Sequence, residues 1–356
     1  MSGKVVILLT LVTAGVVATG YFLSADNHSD FSWFTNVANS GETATARNAV
    51  SAKQLSADPA GEPEPPSDSA LGFMLASVAD QYAESIKYPP WSVPLSSEQA
   101  NAYRGNYYEP VSLPLEGDGQ FTVTLEKYRF TAGERILVAA AIQGSQIVGR
   151  TLSATLERPD SRDALASTTL EEAGSPGYFE GTLSADHAAG EYRLIVEARL
   201  DGKPVRHVST MAIEPYLGEF EGLGDARIQG NNLIIPVRFS PEDSGYYALS
   251  AQLFVGQRPV AQLQIEKRLD NTSNTINLKA HGTVLANQTV DGQLQLKNLQ
   301  IRQLPARPGD RTNYAFGPDE GYAFTPPDLD SLTDTPAVDP ESEQRAALLR
   351  QLADKF

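Results

Sequence analysis

Residues 177–200 constrain this chain more than any other stretch, because they read as two strands joined by a turn, each alternating apolar and polar side chains. Tyr192, Leu194, Val196, Ala198 and Leu200 fall on one face, with Arg193, Glu197 and Arg199 on the other. A period of two puts the apolar set on one side of a sheet, and burying that side needs a second sheet. The pattern predicts a β-sandwich.

The same rhythm fills a first domain, residues 119–215. Phe121, Val123 and Leu125 alternate; so do Ile136, Val138, Ala140 and Ile142 after Gly133, and Leu152, Ala154 and Leu156 after Gly149. Further strands are read at 165–170, 178–183, 192–200 and 205–213, the last beyond the hairpin signal Asp201-Gly202. Short strands with turn signals between them, in about 100 residues, match an immunoglobulin-like sandwich. Within this domain Gly177, Tyr178, Phe179, Gly181 and Leu183, then Asp186, Gly190, Tyr192, Leu194 and Val196, resemble one corner of the bacterial immunoglobulin-like modules of envelope and surface proteins. That resemblance implies the same sandwich architecture and no particular activity.

A second all-β domain is expected over 216–304, with strands at 233–239, 246–255, 260–269, 275–284 and 293–304. Gly256, Asp270-Asn271 and Asp291-Gly292 mark its turns. Asp243, Gly245 and Tyr247 have tyrosine-corner spacing, but they precede an early strand, so the topology stays open. The fold class is therefore mainly β: two tandem immunoglobulin-like β-sandwich domains, with an N-terminal transmembrane or signal helix, a flexible stalk and short flanking helices.

The ends are read from composition and spacing. Residues 5–23 are almost unbroken apolar sequence, with Lys4 before them and Asp26 and Asp30 after. At about 1.5 Å per residue such a run approaches the ~30 Å hydrocarbon core, so residues 1–23 are either a signal anchor or a signal peptide cut near Ala18 and Gly20. The charge asymmetry places the remainder outside the cytoplasm. Residues 24–69, rich in Ala, Ser, Thr, Glu and Pro, are expected to be a flexible stalk. In 70–118, Leu71, Met74, Leu75, Val78, Tyr82 and Ile86 have helical spacing; Pro89 and Pro90 end that helix, and a Pro- and aromatic-rich segment follows. Both are expected to pack on the first sandwich. Residues 305–338 read as an extended acidic strap, and 339–356 as an amphipathic helix capped by Asp339 with Pro340 at its first position.

Composition closes off several chemistries. The formal net charge of -16 opposes polyanions, and no Lys/Arg cluster outweighs it, so no nucleic acid is expected. Cysteine is absent, which excludes disulfides, thiolate nucleophiles and Cys-ligated metals. His28, His187, His207 and His281 lack metal-site spacing, and His187 and His207 are expected to be solvated on neighbouring strands. There is no Gly-x-Ser-x-Gly elbow and no phosphate loop. The acids Asp328, Asp330, Asp334, Asp339 and Glu341 fail the calcium-loop template, since Leu332 and Thr333 stand at its fifth and sixth positions. No catalytic, cofactor-binding or metal-binding residue is assigned, and no cofactor is expected.

The expectation is a non-enzymatic binding or scaffolding protein of the bacterial cell envelope. It sits in the inner membrane through residues 5–23 with its body in the periplasm, or is exported after signal cleavage, and it presents its sandwiches to an envelope protein. Contact residues are Tyr88, Trp91, Tyr103, Tyr107 and Tyr108 in the aromatic segment, and Leu348, Leu349, Leu352 and Phe356 on the last helix. The alternative is a secreted carbohydrate-binding or carbohydrate-active accessory module with Trp91 and the tyrosines as a sugar platform. A hydrolase is a third reading.

Overall fold

The computed structural model describes residues 68–144, 151–200, 202–270, 272–290, 292–337 and 339–355. The apolar run, the stalk up to residue 67, and Phe356 lie outside the described residues. Among those described, no helix is long and apolar enough to cross a membrane.

In chain order, α1 (Asp68–Ser85), β1 (Ser92–Pro94) and α2 (Ser97–Ala102) precede the first sandwich. That sandwich comprises β2 (Val111–Pro114), β3 (Gln120–Leu125), β4 (Arg129–Thr131), β5 (Arg135–Gln143), β6 (Thr151–Glu157), β7 (Ala164–Glu172), β8 (Tyr178–Ser184), β9 (Gly190–Leu200) and β10 (Lys203–Glu214). The second comprises β11 (Gly218–Leu223), β12 (Arg227–Gln229), β13 (Asn232–Pro241), β14 (Gly245–Val255), β15 (Arg258–Leu269) and β16 (Thr275–His281), then the single turn α3 (Gly282–Leu285) and β17 (Leu294–Gln303), β18 (Asn313–Phe316) and β19 (Tyr322–Phe324). The helix α4 (Pro340–Ala353) ends the chain.

The first sandwich is one continuous path, β2-β3-β5-β8-β7-β6-β9-β10-β4, folded on itself. Between β7 and β8 only Glu171↔Glu180 and Glu172↔Phe179 are paired, and there the path passes from one layer to the other. Side chains of both layers, Phe121, Ile136 and Phe179 against Leu156, Leu194 and Met211, share a single core. On β9 the buried residues are Tyr192, Leu194, Val196, Ala198 and Leu200, the apolar face of the alternation. Two strands were invisible to the pattern because they are short: β2, mostly exposed, and β4, which pairs parallel to β10.

The second sandwich stacks a sheet β1-β15-β14-β17-β18, with β19 also on β17, over a smaller sheet β11-β13-β12, with β16 also on β13. Phe239, Tyr247, Leu253, Leu263 and Leu278 are among its buried core. The strand expected over 275–284 stops at His281, whose side chain accepts from the Thr283 amide and caps α3. A Cβ on Gly282 would stand 2.2 Å from the Asn231 amide oxygen, so that turn is pressed flat against its neighbours. Asn231 in turn grips the strap: its Nδ2 donates to the Thr333 carbonyl (2.9 Å) and its Oδ1 accepts from the Thr333 amide (2.8 Å). Leu329 and Leu332 pack into the same core.

Residues 70–118 do not pack on the first sandwich as a block. Helix α1 lies along α4, Tyr88 packs on the second core, and β1 pairs with the free edge of β15 through Ser92↔Leu263. The physical reason is that Pro89 and Pro90 force the chain extended, and an extended segment is satisfied by an open sheet edge. Fully buried Ser92 fixes the register, its Oγ accepting from the His281 amide at 3.0 Å. The part that does join the first sandwich is its end: Tyr108 enters the first core, and Leu113 and Leu115 pack against it.

Each sandwich holds a tyrosine that bonds the backbone four residues earlier: Tyr192 to the Ala188 carbonyl, and Tyr247 to the Asp243 carbonyl at 2.8 Å. Tyr247→Phe keeps the fully buried ring and removes that bond. It is expected to lower stability by about 1 kcal/mol, read as a lower urea midpoint at unchanged slope.

Candidate functional site

The aromatic segment spans the two sandwiches. Helix α2 starts with a reciprocal cap, Gln99 N to Ser96 Oγ (3.1 Å) and Ser96 N to Gln99 Oε1 (3.0 Å), and it aims Tyr103 at β17. There the Tyr103 hydroxyl reaches Gln300 Oε1 (3.3 Å) and the Asn298 carbonyl (3.5 Å). Burial pushes the Tyr103 pKa up to about 12, so the phenol remains a donor. Gly105 has φ +51, and a Cβ there would strike the Tyr103 ring at 2.6 Å. Next, Asn106 clamps β4: its Oδ1 accepts from the Arg129 amide (2.6 Å) and its Nδ2 donates to the Arg129 carbonyl (2.8 Å). Tyr103 thus holds one sandwich and Asn106 the other.

Below this bridge opens a cleft of about 990 Å³. Residues 103–107 with Glu109 and Pro110 form one wall, Glu126 and Lys127 another, and Asn298, Leu299, Phe316 and Asp319 the far side. The far side is irregular because β17 bulges: two residues, Asn298 and Leu299, stand opposite Ala251 where the register with β14 shifts. Asn298 adopts φ +54 and donates from Nδ2 to Gln252 Oε1 (2.8 Å). Left-handed backbone at a non-glycine residue costs of order 1 kcal/mol and is over-represented at functional sites. Beside the bulge β18 pairs with residues 300–303 and β19 with 294–296, and between them the Leu299 carbonyl accepts from the Gly317 amide (2.9 Å). In the cleft, then, are an exposed tyrosine ring at Tyr107, a Phe ring, amide groups and charges of both signs.

The angle between the sandwiches is fixed beside the cleft. Glu214, at the end of β10 and 1 % exposed, takes the Arg129 guanidinium and, at 2.8 Å, the Arg311 guanidinium; its second oxygen accepts from the Tyr314 amide (3.3 Å). Arg129 also lies 4.4 Å over the Tyr314 ring, which stacks at 11° on Phe316 of the cleft wall. Arg129 belongs to the first sandwich, and Arg311 and Tyr314 to the second.

The other anticipated residues scatter. Trp91 is 37 % exposed with Lys279 Nζ 5.7 Å over its ring, at the β1 edge, and β15 and β14 separate it from the cleft. Tyr88 and Tyr108 serve two different cores. The structure therefore assembles Tyr103 and Tyr107 in one place and leaves Trp91 elsewhere. On the last helix Leu348 and Leu352 are exposed and Leu349 is half-buried. His207 is not solvated: it is 3 % exposed, bonded to the Val111 carbonyl (2.7 Å) and Ser209 Oγ (3.2 Å), because β2 covers it. Burial also holds His281 below the usual imidazole pKa. Among the described residues no group of three or more His, Asp or Glu could hold a metal ion. Asn106, Glu214, Asn298 and Arg311 carried no sequence signal, since each acts on a partner far along the chain.

These layers and junctions define a mainly β protein of two packed sandwiches. No protein-family model and no curated protein matches the chain. Among solved structures, a DUF4785 family protein from Legionella pneumophila aligns with 60% of this chain and 58% of its own, at 15% identity and a TM-score of 0.38. Alpha-2-macroglobulin from Salmonella, reacted with methylamine, aligns with 63% of this chain and 16% of its own, at 12% identity and a TM-score of 0.31. Trypsin-activated alpha-2-macroglobulin from Escherichia coli gives 59% and 16%, at 14% identity and a TM-score of 0.24. The chain spans less than two thirds of each of these neighbours.

Proposed function

We propose that this chain is a non-catalytic binding protein of the cell envelope, built on two immunoglobulin-like sandwiches, and that the cleft between them receives a segment of an envelope protein. The observation that carries the reading is the cleft itself, about 990 Å³ in volume and walled by both sandwiches. Its exposed Tyr107 ring, the Phe316 ring and charges of both signs suit a peptide segment, which offers apolar and polar side chains together. The two backbone-bonded tyrosines support the immunoglobulin-like reading. The placement outside the cytoplasm rests on the apolar run and its flanking charges.

The test places a photo-crosslinking phenylalanine analogue at residue 107 of the full chain in growing cells. A discrete adduct with an envelope protein is expected, lost when Phe316→Ala removes the opposite wall. Adducts of equal yield from a control position on the exposed Glu171 would refute the cleft, as would none at residue 107. Cell fractionation with a tag at the C-terminus reads the compartment: recovery in the cytosol would overturn the envelope placement.

A further inference from the structure

The strap crosses the turn α3, and one asparagine holds it there. A Cβ added to Gly282 would stand 2.4 Å from the Thr333 carbonyl oxygen, so the strap backbone rests directly on that turn. Between β19 and Asp334, among the described residues, the strap's hydrogen bonds to the rest of the molecule are the two that Asn231 makes with the Thr333 amide and carbonyl. Those partners also fix which way the Asn231 side chain is turned. A backbone amide only donates and a carbonyl only accepts, so Oδ1 and Nδ2 cannot exchange places without losing both bonds. The second Nδ2 hydrogen is left for His281, whose Nε2 is 3.4 Å away.

We infer that His281 is an acid-sensitive latch: charging its ring turns Asn231 away and frees strap residues 329–335 from the second sandwich. The side chain is 6 % exposed and faces two N–H donors, Asn231 at Nε2 and the Thr283 amide at Nδ1 (3.3 Å). A neutral imidazole keeps one lone pair with which to accept, and an imidazolium keeps none. The Thr283 hydroxyl, 2.9 Å from Nδ1, can take one ring proton. A proton on Nε2 has only the Asn231 amino group in front of it. The surrounding charges do not answer it. On the strap, Asp334 accepts from Asn287 Nδ2 (2.8 Å) and faces Lys87, while Lys279, two residues back along β16, lies over the Trp91 ring. Strand β1, residues 261–264 of β15, residues 229–235 of β13 and its approach, and α3 carry no charge. Burial accordingly holds the ring below its usual pKa. The open strap therefore binds the proton more tightly than the closed one, so closure is complete above about pH 6.5 and weakens as pH falls below it. Release draws Leu329 and the buried Leu332 out of the second core.

Because the chain has no cysteine, a single introduced thiol carries the only label. The full chain with Ser331→Cys, an exposed strap position, is purified in mild detergent, tagged with a nitroxide and followed by electron paramagnetic resonance from pH 7.5 to 5. The label is expected to be immobilised at pH 7.5 and to lose most of that immobile component by pH 5, with a midpoint below about 6.5 and full recovery on neutralisation. His281→Gln offers a donor and an acceptor at every pH and should keep the label immobilised throughout. Asn231→Leu cuts the link between ring and strap, so its label should be mobile at both ends of the range; this variant carries the test if the glutamine variant does not fold. A label that stays immobilised to pH 5 in the parent would overturn the latch, as would the same acid response in His281→Gln or an Asn231→Leu strap that still closes at pH 7.5. Equal loosening of a label at Glu171→Cys on the first sandwich would also overturn it, by showing general acid unfolding.

Discussion

Replacing Glu214 with alanine should cost about 3–5 kcal/mol. The carboxylate is 1 % exposed and is the shared acceptor for Arg129 and Arg311, so its loss leaves two guanidinium groups facing each other with nothing between them. Part-buried positive charges without an acceptor must either rehydrate, which separates the sandwiches, or stay unpaired. Glu214→Gln keeps an acceptor oxygen and removes the charge, and should fall between the alanine variant and the parent. The two readouts are denaturant unfolding and cross-linking yield at residue 107. If the carboxylate fixes the angle of the cleft, the alanine variant loses the adduct even under conditions where it remains folded. Stability within about 1 kcal/mol of the parent would show that this trio behaves as a surface ion pair and holds nothing.

A comparable loss is expected from Gly218→Ala, by a different mechanism. Gly218 follows the short connection between the sandwiches and opens β11 at φ +125, a region that side chains avoid. An added Cβ would stand 2.0 Å from the Ser240 carbonyl oxygen and 2.8 Å from the Pro241 Cα, both backbone atoms of the paired strand. Neither can swing aside as a side chain would. The strand pair must therefore part, and the cost should be at least about 3 kcal/mol. Gly133→Ala is the control: φ there is +88, but a Cβ meets nothing within 4 Å. Its cost is conformational alone, about 1–2 kcal/mol. Equal losses of thermal stability in the two variants would mean that the crowding at Gly218 is relieved by a shift of the strands.

What was legible in the sequence is what period and turn residues encode locally. The alternation on β9 identified the buried face residue by residue, and Tyr247 was marked by its spacing from Asp243 and Gly245. The three-residue strands β1, β4, β12 and β19 escaped because three residues cannot display a period. The cleft escaped for another reason. Tyr103 and Asn298, or Glu214 and Arg311, meet only after the sandwiches have docked, and nothing near either residue announces its partner. Aromatic enrichment marked a stretch of chain of which Tyr103 and Tyr107 line the cleft. It could not say that Tyr107 would stand at an opening, Tyr108 inside a core and Trp91 at a distant edge.

The pairing of β1 with β15 sets the order in which the C-terminal sandwich can be finished. The first sandwich is, topologically, a long insertion between one edge of its neighbour and the remainder of it. A nascent polypeptide therefore produces that edge early and must complete a whole other module before the receiving strand exists. Unclaimed edges are templates on which foreign chains add strands. The exposed interval is safeguarded by brevity: β1 is three residues long and closes on Pro94, which has no amide hydrogen to offer.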